Sequence, residues 1–123
     1  MLVNDFTNII HECEKRKTQR YKLIYCPEVF NNDTNELIGY IDDISLQGAM
    51  VISYKYFTVR DIFNVRLSFP QGKYSVNYLD IEVACVRCYQ DINPDYFNIG
   101  LLFNNISSSE QEIISYFIDD YQF

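Results

Sequence analysis

The chain has no tryptophan, one histidine, three prolines and four glycines in 123 residues. So few prolines and glycines predict short connections between regular elements. With His11 as its sole histidine, the chain offers serine nucleophiles one imidazole only, and no serine sits in a G-x-S-x-G elbow. A glycine-rich loop of the kind that cradles phosphates is also missing. No apolar run approaches the roughly 20 residues that cross a bilayer. The opening MLVNDFTNII lacks the basic and long apolar regions of a secretory signal. These absences predict a cytoplasmic protein without membrane insertion, and they weigh against nucleophilic hydrolysis through a Ser–His pair.

Positive charge is scarce as well: ten Lys and Arg face seventeen Asp and Glu, for a net charge of −7. That balance argues against a general DNA or RNA binder, because phosphate neutralisation supplies most non-specific affinity. It weighs equally against a small barrel that stacks single-stranded nucleic acid on aromatic side chains. A small anionic ligand needs only a local positive site. Five of the ten basic residues (Lys15, Arg16, Lys17, Arg20 and Lys22) fall within EKRKTQRYK at 14–22.

Four cysteines are present, and Cys85 and Cys88 have C-x-x-C spacing. A four-cysteine zinc site wants a second close pair, which Cys13 and Cys26 do not supply. A redox pair wants a helix N-terminus, whereas DIEVACVRCY reads as strand. Period-two alternation then predicts Cys85 and Cys88 on opposite faces, as reduced thiols packed like small apolar residues. The same alternation separates Asp42 from Asp43, so they do not form the facing carboxylates of a glycosidase. Asp119 and Asp120 read as solvated residues in the last turn of a helix. No metal site or cofactor is expected.

What remains is a chain that is 48 % hydrophobic, with eleven tyrosines and nine phenylalanines. This suits one aromatic-rich domain spanning 1–123. Phe6, Ile9, Ile10 and Cys13 have the spacing of a short N-terminal amphipathic helix. Strand-forming stretches follow: YKLIYCPEV, ELIGYIDDI, AMVISYKYFTV, DIFNVRLSFP, YSVNYLDIEVACVRCY (one bent strand or two) and YFNIGLLF. The period then changes. Ser107 or Ser108, with Glu110 or Gln111 three residues on, forms a capping box. Ile113, Ile114, Phe117, Ile118 and Tyr121 then share one helical face. About six strands over 21–104 and a helix over 107–121 predict a mainly all-β fold: a small six-stranded antiparallel barrel with a C-terminal α-helix.

Two local patterns stand out. Arg16 to Arg20 is R-x-x-x-R, and Asp43 to Gly48 is D-x-S-x-x-G. Alone, the second reads equally well as a turn in which Asp43 and Ser45 bond nearby backbone. Together and in this order, with IEVACVRC, with Gly100 and Phe103 in NIGLLF, and with the capped helix after them, they resemble the PilZ family of bacterial cyclic di-GMP receptors. The resemblance covers almost the whole chain.

That resemblance implies a non-enzymatic receptor for cyclic di-GMP. Arg16 and Arg20 would be its clamp, in an N-terminal segment over 1–20. Asp43, Ser45 and Gly48 would be the platform on the barrel, with Gly100 as a further contact. Lys15 stands where some members carry a third arginine, which bears on whether one or two ligands bind. Arg87 either reaches the site or covers the barrel surface, and the second reading is preferred. The chemistry agrees: an arginine fork takes guanine O6 and N7, arginine stacks on purines, and a carboxylate accepts from guanine N1–H and N2–H2. The expected output is relayed to an effector protein in motility, secretion, polysaccharide production or biofilm control, by a monomer or homodimer. The rival expectation is a PilZ-like adaptor that acts through protein contacts without nucleotide.

Overall fold

The computed structural model describes residues 20–122. The predicted N-terminal helix, His11, Cys13, Lys15, Arg16 and Lys17 lie outside them. Seven strands and one helix follow in order: β1 (Tyr21–Lys22), β2 (Glu28–Asn31), β3 (Leu37–Ile44), β4 (Gly48–Ser53), β5 (Ile62–Ser68), β6 (Tyr78–Gln90), β7 (Phe97–Asn104) and α1 (Ser108–Tyr121). All pairings are antiparallel, and the order β3-β2-β5-β6-β7-β4 closes on itself through β3–β4. This is the predicted six-stranded barrel, with β1 added.

The extra strand is the start of YKLIYCPEV. Tyr21 and Lys22 pair with Ile44 and Asp43, and Glu28 and Val29 pair with Tyr40 and Gly39. Both pieces therefore lie along one side of β3. The chain between them leaves the ladder at Leu23, which bridges to Gln122, while Ile24 donates its N–H to Tyr121 O. Tyr25 packs against Phe117 and Tyr121 at ring distances of 6.1 and 5.3 Å. Burial against the helix thus interrupts a strand that local propensity would continue. YSVNYLDIEVACVRCY forms one long strand rather than two.

The connections 54–61 and 69–77 are longer than the scarcity of Pro and Gly predicts. The first is tied to the barrel, and the second is closed on itself, by backbone bonds. Arg60 donates to Cys85 O, Asp61 O accepts from Cys85, and Phe69 donates to Asn77 O.

Inward-facing Val29, Ile38, Ile41, Ile44, Val51, Val65, Val83, Ile99 and Leu101 form the core with Ile114, Phe117 and Ile118 of α1. The helix starts at the predicted capping box. Ser107 Oγ accepts from Glu110 N at 3.1 Å, and Glu110 Oε1 accepts from Ser107 N at 2.9 Å. Burying Phe117 completely contributes about 1.5–3 kcal/mol, which docks the helix more firmly than its cap does. Among the described residues no helix is long and apolar enough to cross a membrane.

Candidate functional site

Two β-bulges decide what faces outward at one level of the barrel. On β3, Ile41 opposes Val51 and Asp43 opposes Met50, so Asp42 is the extra residue. On β6, Cys85 opposes Leu101 and Arg87 opposes Gly100, so Val86 is the extra residue. A bulge shifts the alternation by one place. Two expectations from strict alternation therefore fail. Asp42 and Asp43 lie on the same wall, and Cys85 and Cys88 both turn towards the core, opposite Leu101 and Ile99 respectively. Cys26, Cys85 and Cys88 carry free thiols, and burial pushes Cys85 up to about 11. Among the described residues no group of three or more His, Cys, Asp and Glu is placed to hold a metal.

The bulges bring five residues from five strands into one cross-strand row, Lys22–Asp43–Met50–Gly100–Arg87. Around it lies a cleft of about 440 Å³, lined among the described residues by Arg20, Lys22, Asp42, Asp43, Met50, Arg87, Tyr89 and Asn98. One wall is ionic. Arg20 Nε donates to Asp43 Oδ1 at 3.1 Å, with both side chains 15 % exposed. Lys22 Nζ donates to Asp42 Oδ2 at 2.6 Å, and that bond holds the Lys22 ammonium above its usual range against the opposing cost of burial. The other wall carries Arg87, its guanidinium 5.8 Å from the Tyr89 ring centre, and Asn98. Gly100 stands between Met50 and Arg87 in the row and adds no side chain there.

The candidate residues fall into three groups. Arg20 and Asp43 are brought together at the cleft, and Gly100 is part of its row. Ser45 and Gly48 stand beside the cleft and build the β3–β4 turn. Ser45 Oγ accepts from Gln47 N at 3.1 Å and Gly48 N at 3.2 Å, while Ser45 N donates to Gly48 O at 2.8 Å. Arg16 and Lys15 lie outside the described residues. Arg87, for which the surface reading was preferred, lines the cleft. Lys22, Asp42, Met50, Tyr89 and Asn98 also line it, though no motif marks them. Their common signal is cross-strand register, which exists only once strands are paired and bulges placed.

The arrangement is suited to a planar, polar anion: it combines guanidinium groups, carboxylate acceptors and an aromatic ring. No curated protein matches the chain. Among solved structures, it is similar to the Bacillus subtilis inhibitor of motility MotI/DgrA, at 15 % identity and a TM-score of 0.70, covering 87 % of this chain and 51 % of that one. It is also similar to the PilZ domain with c-di-GMP of YcgR from Escherichia coli, at 13 % identity and a TM-score of 0.64, covering 87 % and 91 %. The MrkH–c-di-GMP complex of K. pneumonia gives 18 % identity and a TM-score of 0.64, covering 85 % and 51 %. The chain thus spans about half the length of the MotI/DgrA and MrkH chains. The family model for the PilZ domain matches residues 14–120, and the chain belongs to that family.

Proposed function

We propose that this protein is a non-enzymatic receptor for cyclic di-GMP, bound at the cleft between β1–β3 and β6–β7. The observation that carries the proposal is the convergence of Arg20 and Asp43, one from each motif, at the edge of that cleft. A volume of about 440 Å³ lies within the range of small-molecule sites, roughly 300–1,000 Å³.

In this reading Asp43 accepts from the N1–H and N2–H2 edge of one guanine. Arg20 leaves its ion pair to clamp phosphate or purine together with Arg16. Gly100 leaves room for a flat base, Arg87 offers a fork for O6 and N7, and Ser45 and Gly48 hold the turn that sets the height of Asp43. Lys15 meets a phosphate more readily than it stacks. Ligand binding changes the conformation of the 14–20 segment over the barrel, and the altered surface is read by an effector protein. A cytoplasmic location follows from the ligand. YcgR and MrkH, in their c-di-GMP complexes, support the ligand, and MotI, an inhibitor of motility, makes motility the process to examine first.

Titration calorimetry of the full chain with cyclic di-GMP tests this. Saturable binding that Arg16→Ala and Arg20→Ala each weaken at least tenfold, with unchanged circular dichroism, is expected. Unaltered affinity in both variants overturns the clamp. Absence of wild-type binding, together with partner capture insensitive to nucleotide, favours an adaptor that acts by protein contacts alone.

A further inference from the structure

Beyond the cleft, Tyr40 of β3, Tyr54 just after β4 and Tyr96 just before β7 form a run of tyrosines. Tyr40 and Tyr54 meet edge to face at 6.2 Å, and Tyr54 and Tyr96 tilt together at 5.4 Å. Tyr54 is 44 % exposed, and Ile92, in the β6–β7 hairpin, is 100 % exposed. That hairpin is held by side-chain bonds. Asp91 accepts from Asn93 N at 3.2 Å and from Asn98 Nδ2 at 2.8 Å, and Asn93 Oδ1 accepts from Asp95 N at 3.0 Å. Gln90 Nε2 donates to Pro94 O at 3.0 Å. An isoleucine displayed on a tied turn and rings held against one another lose little conformational freedom on binding, so their burial converts efficiently to affinity.

The rim of this surface is acidic. Glu28 lies opposite Tyr40 in register, and Asp91 and Asp95 lie in the same hairpin turn as Ile92. Among the described residues none of these three joins an ion pair, so all three are available to a cationic partner. Tyrosine faces attract guanidinium and ammonium groups, and uncompensated carboxylates pair with them at a rim.

We propose that the Tyr40–Tyr54–Tyr96 run and Ile92 are the docking surface for a partner protein that presents a cationic segment: arginine or lysine side chains laid on the rings and rim, and an apolar socket for Ile92. The Asn98–Asp91 bond connects it to the cleft, since Asn98 lines the cleft and its amide holds the residue that anchors the hairpin turn. The inference rests on the receptor reading only for the signal relayed. Docking itself requires no nucleotide.

The test uses the nucleotide-free full chain, ¹⁵N-labelled, titrated with an acetylated peptide of alternating arginine and leucine and with its glutamate-for-arginine counterpart. The arginine peptide is expected to shift the amides of Tyr54, Ile92 and Tyr96 saturably. Ile92→Asp and Tyr54→Ser, both at exposed positions, are expected to weaken it at least tenfold while cyclic di-GMP affinity stays at the wild-type value. Equal binding of both peptides, or shifts centred on Asp119 and Asp120 instead, overturns the proposal. So does a dimer that covers the surface in sedimentation. Failure of the wild type to bind cyclic di-GMP sinks the receptor reading and leaves the peptide result standing by itself.

Discussion

Arg20 and Asp43 stand 23 residues apart in the chain, yet Arg20 Nε lies 3.1 Å from Asp43 Oδ1, with both side chains largely shielded from water. A hydrogen bond between charged groups nets about 1.5–3 kcal/mol, and the pair fastens the entry into β1 to the wall of the cleft. Asp43→Asn keeps the shape and one acceptor but removes the charge. It is expected to cost about 1–2 kcal/mol in urea unfolding and to weaken cyclic di-GMP binding. A variant with full nucleotide affinity would remove Asp43 from the proposed site.

Ser45 has a structural duty that its place in a ligand motif conceals. Its hydroxyl is buried and serves the N–H groups of Gln47 and Gly48. Ser45→Ala leaves both donors without that acceptor and is expected to destabilise the fold by about 1–3 kcal/mol, with Ser45→Thr retaining most of the stability. Equal midpoints for wild type and Ser45→Ala in chemical denaturation would refute this. With the expected destabilisation, affinity lost in the alanine variant reflects the turn as well as any direct contact.

At Gly39 the strands β3 and β4 approach so closely that an added Cβ would overlap the carbonyl oxygen of Ile52. The obstacle is backbone, so no rotamer change relieves it. Gly39→Ala is expected to cost about 3 kcal/mol or more, at the upper end of overpacking effects, read as a loss of thermal or urea stability. A variant as stable as wild type would show that the ladder separates at small cost.

Acid sensitivity has an identifiable contributor at the β5–β6 pair. Arg66 donates from Nε and Nη2 to the two oxygens of Asp80 at 2.8 and 3.0 Å. These bonds hold the Asp80 carboxyl below its ordinary value of 3.8, against the opposing effect of burial. The folded form thus binds its proton more weakly than the unfolded form. The stabilisation is present above pH 3.8 and is lost as pH falls through the lower folded value. Asp80→Asn is expected to be less stable than wild type at pH 7 and equal to it well below pH 3.8. Parallel stability curves for the two proteins across that range would exclude this linkage.

Much of the architecture was legible in the sequence because it depends on local periodicity. The alternating runs became β3 to β7, and the capping box of Ser107 and Glu110 starts the helix, whose Ile114, Phe117 and Ile118 are buried. Readings of strand continuity and of facing failed where packing or a bulge overrides the local pattern. YKLIYCPEV is interrupted because Leu23 and Tyr25 are drawn to the helix. Asp42 with Asp43, and Cys85 with Cys88, were assigned to opposite faces by an alternation that a bulge resets.

Most strands, the helix, the acidic balance and the two motifs that mark the family are readable from residues close together along the chain. The bonding of Ser45 to its own turn follows from local spacing, whereas only the tertiary structure brings Arg20 to Asp43. It also decided that Arg87, Tyr89 and Asn98 complete the far wall of the cleft. These are matters of register between distant strands, and one extra residue in β3 and another in β6 set which side chains face outward.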